Sequence, residues 1–179
     1  MTRYAALLRG INVNGITITM SSLGELFRGL GFAEVKTVLA SGNVLFETGS
    51  SQGQGDAPAI KARIEAALAE AYGYQAWIVL VDTDTLGRIV AGYPFDPERD
   101  GWHPYVLFSS DPVALAELLA GADGLDPGDE RVTAGDGVLY WEVRRAVGVK
   151  SPFSTLSGKA RYRSSTTTRN LRTLHKLVG

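Results

Sequence analysis

Cysteine is absent from the 179 residues, and histidine and methionine occur only twice each. The first absence excludes disulfides, thiolate-bound metals and a cysteine nucleophile. The two histidines, His103 and His175, lie far apart with no companion at metal-ligand spacing, so no metal site is expected. Long apolar runs are missing as well. The first, residues 4–8, stops at Arg9; it is too short for the core of a signal peptide, and no other run approaches a membrane span. The expectation is a soluble cytoplasmic protein without membrane attachment. Gly158-Lys159 lacks the earlier glycine of a phosphate loop because Phe153 stands in its place, and neither G-x-G-x-x-G nor G-x-S-x-G occurs. No cofactor is implied.

Acids run out before the chain does. Glu142 is the last carboxylate, and from Val143 onward there are nine cations: Arg144, Arg145, Lys150, Lys159, Arg161, Arg163, Arg169, Arg172 and Lys176. The tail therefore carries +9 and the preceding residues −10, although the whole chain is at −1. Two readings follow. Either the parts pack together and neutralise each other, or the tail presents a basic face to an anionic ligand.

What is present is periodicity. Residues 4–8 read as a short buried strand. A helix over 22–30 follows, with Ser22 and Glu25 at capping-box spacing, Leu23, Leu26, Phe27 and Leu30 at helical period, and Gly31 as its left-handed stop. Strands at 35–40 and 44–47 flank Ser41-Gly42-Asn43, a hairpin turn. A polar, glycine-rich connection over 48–58 leads to a helix carrying Ile60, Ile64 and Leu68 on one face, then a strand over 76–81. Strand, helix, strand, strand, helix, strand is the split βαβ order of ferredoxin-like folds, an antiparallel sheet with two helices on one face. Part of the order recurs: a helix over 84–91, a strand over 105–109, a helix over 112–119, and a hairpin of 131–134 and 138–143 turning through Gly135-Asp136-Gly137. The fold class is thus α+β, with two related ferredoxin-like units, 1–82 and a degenerate 83–179 that ends in a basic helix. Residues 151–165 yield no clear element.

"LLRGINVNG", Met20 opening the first helix, "GF" and "SGNVLF" after it, and "TTTRNLRT" near the end resemble, in order and spacing, the bacterial domain-of-unknown-function-1697 (DUF1697) family. The resemblance spans nearly the whole chain. It implies two related ferredoxin-like units and brings no established activity with it.

Candidate binding residues cluster in three polar loops. Arg9, Gly10 and Asn12 follow the first strand, where a helix N-terminus and an arginine fork favour phosphate or carboxylate; the structural alternative is that Arg9 caps a carbonyl and Asn12 makes an Asx-turn. Ser41 and Asn43 have an ordinary explanation as turn residues and gain interest beside Arg9. Thr168 reads as an N-cap with Arg169 and Asn170 at the first helical positions, while Leu171 and Leu174 pack inward and Arg169, Arg172 and Lys176 face outward. Asp82 and Asp84 read as cap chemistry after a strand. The leading expectation is a small anionic ligand, a nucleotide or phosphate ester, held by Arg9, Asn12, Ser41, Asn43, Arg169 and Asn170. One alternative is phosphoryl hydrolysis of the acylphosphatase type, by analogy of fold alone. Another is nucleic-acid binding through the basic C-terminal segment, disfavoured by the near-neutral chain and the lack of a nucleic-acid motif.

Overall fold

Among the described residues, 1–11, 15–49 and 56–179 of a computed structural model, eight strands and six α-helices build two four-stranded antiparallel sheets. The chain divides into two compact units, Met1–Leu86 with Leu177–Gly179, and Gly87–Lys176.

The first unit runs β1 (Thr2–Arg9), α1 (Met20–Gly29), β2 (Ala33–Val38), β3 (Asn43–Thr48), α2 (Ala57–Tyr72) and β4 (Trp77–Asp82), with strand order β2-β3-β1-β4. β1 lies inside the sheet because residues 4–8 are buried without a break, which a strand covered on both faces requires. Tyr4, Ala6 and Leu8 join Val44, Phe46 and Ile78 beneath Leu23 and Phe27 of α1 and Ile60, Ile64 and Leu68 of α2. Each such side chain contributes about 1.5–3 kcal/mol by leaving water. The opposite residues, Ala5, Leu7, Leu45 and Val79, are buried too.

α1 begins two residues ahead of the expected start. Thr19, extended at φ −75° and ψ 148°, accepts Ser22 N–H on its Oγ1 at 3.1 Å, so Thr19 and not Ser22 is the N-cap. The Ser22 hydroxyl is instead in a 2.5 Å hydrogen bond with the Tyr72 hydroxyl of α2. The first hairpin also differs from expectation: its loop is residues 39–42, and Asn43 opens β3. The connection over 48–58 lies mostly outside the described residues.

α3 (Thr83–Ala91) follows β4, and the second unit continues through β5 (Trp102–Ser109), α4 (Pro112–Gly121), β6 (Glu130–Ala134), β7 (Val138–Arg144), α5 (Pro152–Ser157), β8 (Thr166–Asn170) and α6 (Leu171–Val178). Strand order is β6-β7-β5-β8. Leu107, Leu139, Trp141 and Val143 meet Ala114 and Leu118 of α4 and Phe153 of α5 in its core. Element order and strand order therefore repeat the first unit in full. α5 and β8 are the two members that sequence reading missed. α5 has six residues, capped by Ser151, whose side chain accepts Ser154 N–H, and opened by Pro152; one and a half turns give no periodic stripe to read.

The second correction concerns Thr168. Residues Thr166–Asn170 form an edge strand, in register with β5 through Leu107↔Thr168 and Val106↔Arg169, so Thr168 is a strand residue. Asn170 is the cap: its Oδ1 accepts Arg172 N–H at 2.9 Å. Asp82 has the same place in the first unit, ending β4 and accepting Thr85 N–H at 2.8 Å, as expected of a cap, whereas Asp84 lies within the first turn of α3.

Candidate functional site

In the first unit three of the expected residues come together at one end of the sheet. Arg9 is the last residue of β1 and pairs in register with Trp77, while Leu7, two residues back, pairs with Asn43. Alternation puts Arg9, Trp77 and Asn43 on one face, the one opposite α1 and α2. Asn43 is fully buried; its amide donates to Val38 O at 2.8 Å and to Ser41 Oγ at 2.9 Å, so it holds the turn shut and sets the Ser41 hydroxyl. Gly42 O accepts Leu8 N–H at 2.8 Å, tying that turn to β1. Gly42 has φ +82°, and a Cβ there would lie 2.5 Å from Ile11 Cδ1 and 3.0 Å from Leu8 Cβ. Leu39, at the start of the turn, is left-handed at φ +61° and exposed, a conformation that costs a non-glycine residue about 1–2 kcal/mol. Such strain is kept where the surroundings impose it, often beside a working site. Asn12 lies outside the described residues.

Arg169 and Asn170 belong to the second unit. Arg169 is 8% exposed and sits within β8, its Nη1 donating to Thr167 Oγ1 at 2.7 Å and Thr168 O at 3.1 Å. It is therefore not part of an outward stripe with Arg172 and Lys176, both of which are exposed. Asn170 has its cap to make, and that accounts for it without a ligand.

Residues 1–140 match the family described as "Protein of unknown function (DUF1697)". The chain belongs to that family. Among solved structures, this DUF1697 chain is similar to the conserved bacterial protein SP0830 from Streptococcus pneumoniae, at 25% identity and a TM-score of 0.79, over 99% of this chain and 97% of that one. No curated protein matches it.

The DUF1697 chain also holds two buried carboxylates that sequence reading passed over. Glu142, 1% exposed, points from β7 and accepts on its Oε1 from Arg99 Nη1 at 2.7 Å and from Arg131 Nε at 2.7 Å. Both guanidiniums also lie over aromatic rings, Arg99 at 3.7 Å from the Trp102 centroid and Arg131 at 4.8 Å from that of Phe95. The loop between α3 and β5 is thereby pinned to the sheet. Tyr93 in that loop donates to Trp141 O at 3.2 Å, and its phenol is pushed well up, first by burial and then by the nearby Glu142 charge. Glu130, also 1% exposed, accepts Trp141 Nε1–H at 3.1 Å and Phe153 N–H at 3.0 Å, the latter in the first turn of α5. A carboxylate at that position favours the helix start. The available signal was a lone acid inside the apolar run VLYWEV, which a strand interior tolerates only when the charge is paired.

Proposed function

We propose that this protein binds a small anionic ligand, a nucleotide or phosphate ester, at the end of the first unit's sheet, with Arg9 as the cation and the Ser41–Asn43 turn as the polar wall. The observation that carries this reading is the shared face of Arg9, Trp77 and Asn43: a guanidinium, an indole and a fixed hydroxyl lie at one sheet end, beside a turn held in strain. An arginine fork takes two oxygens of a phosphate, and an indole plane beside it suits a flat ring. Asn12 of the adjoining loop is the further member of this set, whereas Arg169 and Asn170 belong to the second unit and have their own hydrogen bonds there. Asn43 uses both amide protons on Val38 O and Ser41 Oγ, which fits it to hold the turn that walls the site. The same inference takes each unit as ferredoxin-like, supported by the β-α-β-β-α-β order and the neighbour order β2-β3-β1-β4. On this reading the repeats are taken as 1–82 and 83–179, dividing at the end of β4, while the compact units divide after Leu86.

A thermal-shift screen of nucleotides and phosphorylated metabolites tests this. A ligand at about 100 times its dissociation constant adds roughly 2.7 kcal/mol to the native state. The increment is expected in the wild type and in Arg3→Ala, at the far end of β1, and is expected to disappear in Arg9→Ala. An equal increment in Arg9→Ala sinks the assignment.

A further inference from the structure

We propose that the second unit carries a separate phosphate site where His103, Arg145 and Arg172 converge beside Tyr105, and that its ligand class is a phosphate monoester. Register brings these residues together. His103 pairs with Val143 of β7, and Arg145 lies two residues further on, its backbone N–H held by Gly101 O at 2.9 Å. Tyr105 pairs with Asn170 of β8, and Arg172 lies two residues past it, its N–H held by the Asn170 side chain. His103 and Tyr105 share the face that carries Leu107, with ring centroids 5.7 Å apart, and Tyr105 stacks on Trp141 at 5.0 Å. The imidazole thus stands beside a stacked aromatic pair, with Arg145 just past the end of β7 and Arg172 in the first turn of α6.

The electrostatics are one-sided. Arg145 and Arg172 are exposed, and neither enters an ion pair among the described residues. Nearby acids are engaged elsewhere: Glu142 is on the other face with Arg99 and Arg131, and Asp129 pairs with Arg144 at 3.2 Å. Asp100, exposed in the turn before β5, pairs with neither arginine. Burial, then Arg145, then Arg172 hold the His103 imidazole below its ordinary value, which favours its neutral form. Two guanidinium forks and an imidazole match the oxygens of a tetrahedral dianion, whereas a single carboxylate would leave one fork unused. An incoming dianion would offset both positive charges and draw a proton onto His103.

His103 and His175 are the two histidines of the chain, so imidazole NMR reads the site directly. Inorganic phosphate and a nucleoside monophosphate are titrated against the full chain, with chloride at matched ionic strength as control. The expected result is a saturable shift of the His103 resonances with a rise in its pKa, and no such change at His175. Arg145→Gln and Arg172→Gln should each weaken the response about tenfold or more at unchanged Tm, and the double variant should abolish it. Arg9→Ala should leave it in place, which separates this inference from the proposal for the first unit. A His103 response no larger than chloride gives, an equal response at His175, persistence in the double variant, or loss in Arg9→Ala would overturn the assignment. So would a response to single-stranded RNA lacking terminal phosphates with none to either monoester, which would make the ligand a phosphodiester chain.

Discussion

Gly42 illustrates how much a single residue decides in this fold. Its left-handed φ of +82° and its approach to Ile11 and Leu8 leave no room for a methyl group. Gly42→Ala should lower the unfolding free energy by about 2–3 kcal/mol, combining the left-handed penalty with local overpacking, as measured by urea denaturation. A loss below 0.5 kcal/mol would mean that the turn relaxes without strain. Glu142 decides as much by charge. Removing it leaves Arg99 and Arg131 without their common partner, but both are more than a third exposed, at 38% and 45%, and can rehydrate. Glu142→Ala should therefore cost about 2 kcal/mol, less than the 3–5 kcal/mol of a wholly buried pair. The hairpin around Gly42 was legible in the sequence because turn chemistry is local, although its loop is residues 39–42 and Asn43 opens β3. Arg131 and Glu142 were not, because the sheet makes them neighbours from eleven residues apart, and Arg99 joins from beyond another strand.

At the scale of elements, long periodic segments gave themselves away and short ones did not. α2, with Ile60, Ile64 and Leu68 at helical spacing, was readable. α5 and β8 were not, and their absence from the reading made the second unit look degenerate when its order is complete. The TTTRN stretch misled for a physical reason: three threonines suit a strand as well as a cap, and pairing with β5 decides between them. The end of β5 also gives a pH prediction. His103 binds its proton less readily when folded than at its ordinary value of 6.5. As pH falls through 6.5 toward the lower folded value, the unfolded chain takes up a proton that the folded chain does not, so stability rises with pH across that window and is lost below it. In phosphate-free buffer, Tm between pH 7.5 and 5.5 should fall more for the wild type than for His103→Gln. Parallel curves would show that the histidine is not coupled to folding.

For the whole molecule, the absence of cysteine excludes thiol and thiolate-metal chemistry, and the described residues contain no helix long and apolar enough to cross a membrane. The charge split read from the sequence resolves only in part into structure. Arg169 is buried and Arg144 is paired with Asp129, while Arg145 and Arg172 stay exposed with no ion pair among the described residues. The candidate site was legible as three polar loops. Which of them share a sheet face was not, because that depends on strand register, and Trp77 enters only through its pairing with Arg9. The central claim is that the end of β1 is an anion site. Amide and indole NMR of the full chain, titrated with a nucleoside monophosphate, tests it most directly. The account predicts saturable shifts at Gly10, Gly42, Asn43 and the Trp77 indole N–H in the wild type, lost in Arg9→Ala. Spectra in which those signals stay fixed at millimolar ligand, or move equally in Arg9→Ala, would contradict it.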